Sequence, residues 1–414
     1  MKICVVGLGY IGLPTALLLS ENYEVFGCDI NENVVEKVNR KIPPFIENGL
    51  EPLLKKSNIK ASTHAVESDV FIICVPTPFD KEVKMADLKY VKSAAESVVP
   101  YLKKGNLVII ESTITPGTSE KIVASILEKS NLKIGEDIYL SHCPERAIPG
   151  KTFEEMVTND RIVGGINEKS ADMTVNVYRS FVKGNIYRTD IKTAEFVKLM
   201  ENTFRDVNIA LANEFAILSE EAGINALEAI GLANKHPRVR ILNPGPGVGG
   251  HCIAVDPWFL TENTINSKII NTAREINESM PSYILSKAKK ILNEQNIKNP
   301  TVTIFGVAYK ANIDDTRETP ALKLIKLCEK EGWSVRIYDP LVSKFEYSLL
   351  TLEEAVKGSD LLIVEVGHNE FINLDAKQIG DTMRSKNIID TSNIIKSQDF
   401  VAKGFCVRKL GVHF

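Results

Sequence analysis

Gly7, Gly9 and Gly12 stand between an apolar run at residues 2–6 and the helical pattern that begins at Tyr10. This G-x-G-x-x-G turn restricts the fold more than any other feature of the chain. The first glycine permits a tight turn, the second lets a pyrophosphate reach the backbone, and the third lets helix and strand pack closely. The helix N-terminus then offers free N–H groups and a partial positive charge to phosphates. The pattern alone is weak, but Asp29 ends the next strand-like run, about 20 residues further on. A carboxylate there bonds a ribose 2′-OH and repels a 2′-phosphate, so NAD is expected rather than NADP.

Strand and helix patterns keep alternating: strands over 69–76, 106–113 and 137–145, and helices over 87–102 and 118–130. Such alternation predicts βαβ units and a parallel sheet. From about Thr193 to Ala222 a run without Gly or Pro predicts one long helix, apolar on most sides and therefore buried. It reads as a spine and a subunit interface. Strand, helix, strand and strand patterns return at 301–306, 319–332, 334–340 and 359–371. They repeat the first wiring without its glycine signature, so a different ligand is expected there.

A chain of 414 residues is too long for one core. The expected class is α/β, with two Rossmann-like doubly wound parallel-sheet domains joined by a long central helix. The expected division is an NAD-binding domain over 1–190, a central helical dimerisation segment carrying a catalytic loop over 191–296, and a second Rossmann-like domain over 297–414. A net charge of −3 gives no reason to expect nucleic acid or an acidic membrane as partner. The seven cysteines are scattered, with none at C-x-x-C spacing, so neither a metal site nor a disulfide framework is expected. Cys4, Cys28 and Cys74 lie in apolar runs, where a thiol behaves as a small hydrophobe. Reduced thiols point to the cytoplasm. The apolar first twenty residues are broken by the three glycines and read as strand and helix, not as a signal peptide.

Cys252 raises a separate question. It lies in GPGVGGHCIAVDPW, residues 245–258, which cannot settle as helix or strand. Gly249 and Gly250 allow unusual backbone angles and close approach, and His251 and Asp256 stand beside the thiol. A thiolate adds to an aldehyde, hydride leaves to NAD, and water cleaves the resulting thioester. A packed cysteine in a turn is the bland alternative. On the long helix Lys198, Asn202 and Arg205 share one face. A desolvated lysine serves as base or oxyanion donor, and a structural polar network is the alternative. Glu145, at a strand end beside Arg146, either orders water or pairs with an arginine. Thr77 and Thr113 stand just past strand ends, where ligands of open α/β sheets lie.

Seven segments in order, GLGYIGLP, CVPTP, ESTITPG, CPERAIPG, EFVKLMENTFRDVNIALANE, GPGVGGHCIAVDP and FGVAYKANIDDTRETPA, resemble the UDP-glucose/GDP-mannose dehydrogenase family over essentially the whole chain. The resemblance implies a four-electron oxidation of a sugar C6 alcohol to the carboxylate with two NAD, in a homodimer or higher homo-oligomer. It implies Cys252 as nucleophile, Lys198 as proton donor and acceptor, and Asn202 as oxyanion donor, with Asp256 and Glu145 assisting water and proton handling. Tyr10, Ile11, Asp29, Thr77, Thr113 and Arg317 would contact NAD beside Gly7, Gly9 and Gly12. Arg161, Ile162, Lys198, Asn202, Arg205, His236, Arg238, Gly249, Tyr309 and Lys310 match substrate-contacting positions. Ile253-Ala254-Val255-Asp256 replaces the Phe-Pro-Lys-Asp usual for UDP-glucose and resembles the N-acetylhexosamine branch. UDP-N-acetylmannosamine is the expected substrate, with UDP-glucose, UDP-GlcNAc and UDP-GalNAc as alternatives.

Three rivals remain at this point. A single-step hydroxyacid dehydrogenase leaves Cys252 and the third domain without work. A sugar-nucleotide epimerase would use Tyr283 and Lys287 at Y-x-x-x-K spacing. A nucleotide-sugar binder without turnover need not keep the thiol, lysine and carboxylates.

Overall fold

In the computed structural model, which describes residues 1–80, 82–262 and 264–413, the first apolar run forms β1 (Lys2–Val6). The glycine turn and the helix Gly12–Leu19 follow, and then β2 (Glu24–Cys28). β3 (Lys60–Ser62), β4 (Val70–Ile73), the short antiparallel hairpin β5 (Phe79–Asp80) and β6 (Met85–Ala86), and β7 (Leu107–Ile110) come next. β8 (Tyr139–His142), β9 (Arg161–Gly165) and β10 (Ile186–Asp190) complete the first sheet. Its order is β3-β2-β1-β4-β7-β8-β9-β10. All neighbours run parallel except β8 and β9. The chain reverses direction of growth between β1 and β4, so the crevice for a ligand opens at the carboxyl ends of these two strands.

The alternation of side chains explains why both faces of this sheet carry helices. Ile3, Val5, Ile72 and Ile109 enter one core, whereas Cys4, Val6, Phe71, Ile73 and Val108 enter the other. Cys4 and Cys28 are buried among these apolar groups as expected, and burial pushes the Cys28 thiol up to about 12. Cys74 differs, because its Sγ donates to Glu111 Oε2 at 2.9 Å. No disulfide joins any of the seven cysteines among the described residues.

A second sheet holds β11 (Thr301–Phe305), β12 (Ser334–Tyr338), β13 (Leu361–Val364), β14 (Asn387–Asp390) and β15 (Cys406–Lys409). Its order is β12-β11-β13-β14-β15, parallel throughout. It matches β2-β1-β4-β7-β8 strand for strand, so the expected repeat of wiring is present. Ile304, Leu361 and Ile363 face one core, and Phe305, Leu362 and Val364 the other. The strands β3, β5, β6, β9, β10, β14 and β15 were not foreseen. Arg161 and Gly165 flank only three further residues in β9, too few for a periodic signal.

The long helix spans Ile191–Glu221, a 31-residue run. The chain divides into two compact units, Met1–Glu201 with the segment from Trp258, and Asn202–Pro257 with the chain from Thr264. The helix is not buried all round, contrary to the expectation. Phe196, Met200, Phe204, Leu211 and Leu218 are 42–66% exposed, because nothing among the described residues covers them. A second helix of 27 residues, Lys268–Glu294, carries Tyr283 and Lys287. Both are spent on Glu220, which accepts from the Tyr283 hydroxyl at 2.7 Å and pairs with Lys287. The same carboxylate accepts the Gly411 N–H at 2.9 Å. The Y-x-x-x-K spacing therefore fastens the C-terminal segment and does no epimerase chemistry. Among the described residues, no helix is long and apolar enough to cross a membrane.

Glu365, just past β13, is buried with neither carboxylate oxygen hydrogen-bonded among the described residues. Burial pushes its carboxyl up to about 8. An acid whose folded value is raised binds its proton more tightly folded than unfolded. Stability is therefore fully present below the unfolded value and is lost as pH rises towards 8. Glu365→Gln removes that loss. Its melting temperature should exceed that of the parent at pH 8, by an amount reflecting a few kcal/mol at most. The gain should vanish near pH 5; equal gains at both values would show that the carboxyl does not titrate in this window.

Candidate active site

In the first unit the glycine turn is built for a dinucleotide. Gly7 has φ +94°, and a Cβ there would meet the Cys74 carbonyl oxygen at 2.5 Å. A Cβ on Gly12 would run into the Gly7 carbonyl, so helix and turn touch backbone to backbone. Gly9 has nothing within 4 Å of its Cβ position, which leaves open space where a pyrophosphate must approach. Three glycines thus serve three different needs, and the residues present fit NAD. Asp29 Oδ2 accepts the Leu8 N–H at 2.8 Å, and Oδ1 accepts the Asn31 N–H at 2.9 Å. Each oxygen keeps a lone pair for a ribose hydroxyl. Tyr10 is exposed and its ring lies 4.3 Å from that of Phe45, with Ile11 half-buried beside it. Thr77 Oγ1 donates to the Thr113 carbonyl at 2.7 Å, which joins the loops after β4 and β7. Glu195 on the long helix accepts the N–H groups of Gly117 and Ser119, at 2.5 and 2.9 Å, and so anchors the loop after Thr113.

Behind this surface lies a buried charge network. Arg161, on β9, bonds Glu145 Oε2 at 2.5 Å and Glu111 Oε1 at 3.3 Å. Glu145 therefore pairs with Arg161 and not with its neighbour Arg146, whose guanidinium goes to Glu201 and the Asp160 carbonyl. Ile162, the next residue on β9, is half-buried. Lys198 is half-buried, and His142, the last residue of β8, is fully buried. Burial, with the Lys198 charge adding, pushes the His142 imidazole down to about 3, so it stays neutral. Glu111 and His142 escaped the sequence reading. The visible sign was a charged residue at the end of the apolar strand Leu107–Ile110.

In the second unit Asn202 Nδ2 donates to Asp256 Oδ2 at 2.6 Å, leaving the second N–H of that amide for another acceptor. Arg205, one turn on, is exposed. The cysteine loop is fixed by backbone contacts. Asn213 Oδ1 accepts the Gly245 N–H at 2.8 Å, and the Gly250 N–H donates to the Arg317 carbonyl at 3.0 Å. A Cβ on Gly249 would meet Tyr309 Cβ at 2.9 Å, and one on Gly250 would meet the Tyr309 ring at 2.8 Å. The glycines are therefore there to let Tyr309 lie against the loop. Val255 and Asp256 both donate N–H to the Cys252 carbonyl, at 3.0 and 2.8 Å, so Cys252 begins a helical turn. Burial pushes the Tyr309 hydroxyl up to about 12, with Asp315 and Cys252 adding, which keeps it a neutral donor. Lys310 beside it is exposed, as are His236 and Arg238 in their loop. Arg317 forms a two-pronged pair with Asp315, at 3.0 and 2.5 Å. Among the described residues no cluster of His, Cys, Asp or Glu could hold a metal ion.

Residues 1–182 match the NAD binding domain of the UDP-glucose/GDP-mannose dehydrogenase family, residues 192–279 its central domain, and residues 303–397 its UDP binding domain. The UDP-N-acetyl-D-mannosamine dehydrogenase of Methanocaldococcus jannaschii is 50% identical, with 99% of this chain and 96% of that protein covered. The NDP-N-acetyl-D-galactosaminuronic acid dehydrogenase of Ralstonia solanacearum is 41% identical over 97% of each. The solved UDP-D-ManNAc dehydrogenase of Pyrococcus horikoshii superposes with a TM-score of 0.93, at 45% identity and 99% coverage of both chains.

Removing the Asp29 carboxylate should weaken NAD selectively. Asp29→Ala loses a charge-assisted bond worth about 1.5–3 kcal/mol, so KM for NAD should rise roughly tenfold or more. The preference for NAD over NADP should shrink. Titration of both cofactors against the variant measures this, and an unchanged preference would remove Asp29 from the ribose site.

Proposed function

The chain belongs to the UDP-glucose/GDP-mannose dehydrogenase family, and on that premise we propose that it oxidises C6 of UDP-N-acetyl-D-mannosamine to the carboxylate, giving UDP-N-acetyl-D-mannosaminuronate. The observation that carries this reading is 50% identity to a UDP-N-acetyl-D-mannosamine dehydrogenase over 99% of the chain. Segment 1–190 then binds NAD, 191–296 carries the dimer contact and the catalytic loop, and 297–414, whose last residue lies outside the described ones, binds the UDP-sugar.

NAD, which Gly7, Gly9, Gly12 and Asp29 would hold, would supply the hydride acceptor for each of two oxidations at C6. Lys198 takes the hydroxyl proton in the first, which leaves an aldehyde. Cys252 Sγ bonds the aldehyde carbon, and its proton passes to the former carbonyl oxygen, giving a thiohemiacetal. Loss of that proton and the second hydride leaves a thioester on Cys252. Glu145 orients a water, which adds at C6 and expels the thiol, so the product leaves as carboxylate. Asn202, with one N–H held by Asp256, donates the other to the C6 oxygen whenever it carries charge. Gly249, Tyr309 and Lys310 hold the nucleotide-sugar with Ile162, Arg205, His236 and Arg238. Arg317 joins Tyr10, Ile11, Thr77 and Thr113 on the cofactor.

The exposed stripe from Phe196 to Leu218 supports a homodimer, since a second copy would cover side chains that this chain leaves in water. Seven cysteines with no disulfide among the described residues support a reducing, cytoplasmic setting.

Two outcomes are expected of a UDP-sugar panel assayed with NAD. Two NADH should form per sugar, and kcat/KM for UDP-N-acetylmannosamine should exceed that for UDP-glucose, UDP-GlcNAc and UDP-GalNAc by roughly tenfold or more. One NADH per sugar would favour a single-step dehydrogenase, and equal use of UDP-glucose would overturn the substrate. Cys252→Ser should abolish steady turnover and stop at the aldehyde level. A fully active variant would refute the nucleophile.

A further inference from the structure

The family resemblance leads one to expect Arg161 at the substrate, yet its guanidinium is buried and bonded to protein groups. Its side chain is 3% exposed. Nη2 bonds Glu145 Oε2 at 2.5 Å, and Nη1 reaches Glu111 Oε1 at 3.3 Å and Cys143 Sγ at 3.8 Å. The rings of Tyr178 and Phe181 pack beside the group, at 4.6 and 5.4 Å from the guanidinium carbon. Nε is buried as well, with no hydrogen-bond partner among the described residues, so the bonds that the group does make are those of Nη1 and Nη2 to protein groups.

What it holds is Glu145. Oε1 of that carboxylate accepts the N–H groups of Arg146 and Ala147, at 2.6 and 2.8 Å, while Oε2 takes the guanidinium. Three donors on two oxygens fix the plane of the carboxylate and the direction of its remaining lone pair. Glu111 in turn holds Arg161 from behind. Its Oε1 also accepts from the Tyr178 hydroxyl at 3.0 Å, and its Oε2 accepts from Thr15 Oγ1 at 3.0 Å and Cys74 Sγ at 2.9 Å. Four elements meet on that one carboxylate: the helix after the glycine turn, the end of β4, β9, and the helix Glu168–Tyr178. With one arginine between two carboxylates, loss of either partner leaves the guanidinium held on one side only.

We propose that Arg161 and Glu111 are positioning residues that act on the reaction through Glu145, and that the Arg161 side chain does not touch the sugar. This rests on the role given to Glu145 above. A substrate contact and a positioning role predict different kinetics. A lost ground-state contact raises KM for the UDP-sugar, whereas a displaced Glu145 lowers kcat. Residues that work as one unit are also non-additive.

The test measures kcat and both KM values, by NADH formation from UDP-N-acetylmannosamine, for the whole protein and for Glu145→Gln, Glu111→Gln, Arg161→Lys and the Glu111→Gln/Glu145→Gln double variant. Each single variant should lose roughly tenfold or more in kcat, with KM for the UDP-sugar within about twofold of the parent. The double variant should be no slower than the slower single one. If Glu111→Gln melts out, Tyr178→Phe removes one of the bonds to Glu111 and should give a smaller loss of the same kind. A rise in UDP-sugar KM with kcat retained in Arg161→Lys would restore the substrate contact and overturn the proposal. Fold-losses that multiply in the double variant would overturn it while leaving the role of Glu145 intact. Full turnover in Glu145→Gln would instead strike down that role, and the positioning idea with it.

Discussion

A carboxylate at the end of the second strand, gripping the backbone of the turn after the first, is the contact on which both sheets depend. In the first unit Asp29 Oδ2 takes the Leu8 N–H at 2.8 Å. In the second, Asp339 Oδ2 takes the Val307 N–H at 2.7 Å. The preceding glycines match as well, since Gly7 donates to the Cys28 carbonyl at 2.7 Å and Gly306 to the Tyr338 carbonyl at 2.8 Å, both at positive φ. The turn after a central parallel strand has N–H groups that no ladder can satisfy, and each must find a partner or cost stability. One carboxylate solves this and fixes where the next helix begins.

The two copies then part company at a single neighbour. Asp339 also meets His368 Nε2 at 3.2 Å, and His368 Nδ1 accepts the Asn312 N–H at 3.0 Å. His368 and Asp339 are fully buried as side chains, so the second carboxylate is sealed inside the protein. Asp29, by contrast, is only half-buried and keeps oxygens open to a ribose. Thr77 holds the equivalent place after β4, four residues past the strand as His368 is after β13. Its hydroxyl turns to the Thr113 carbonyl instead. A duplicated frame thus gives one partly open carboxylate and one buried carboxylate. The buried copy instead ties down the loop after Gly306 at Asn312, through His368.

These distinctions explain how much could be read from the chain alone. The glycine turn, Asp29 and the alternating patterns were legible because each rests on local geometry that few residue types satisfy. The second sheet was legible from apolar periodicity. Cys252 stood out because a loop of glycines and prolines has no packing use for a thiol. The network of Glu111, Glu145 and Arg161 was not legible, because its members come from three strands' ends far apart in sequence. Only sheet pairing, parallel for β7 with β8 and antiparallel for β8 with β9, brings the three side by side. The long helix was found, but its burial was misjudged, since a sequence does not say whether an apolar stripe meets its own chain or another.

The polar interior of the second unit follows the same logic as the first, with a different partner set. Asp206 on the long helix bonds Arg274 at 2.6 Å and Asn277 at 2.8 Å, and Asn277 accepts from Asn213, which in turn holds Gly245. That chain of bonds ends where the cysteine loop begins. A loop rich in glycine pays the largest conformational entropy on ordering, and apolar packing alone cannot fix it because it has few side chains to pack. Buried amides and carboxylates on two long helices supply directional restraint instead, at the cost of burying charge. The helices thereby set the place from which Cys252 is presented. A small side chain at Gly249 or Gly250 would displace Tyr309, whose ring and Cβ leave no room for one. The rigidity of the loop and the position of Tyr309 are therefore one property, fixed jointly by what the glycines lack and what the helices bury.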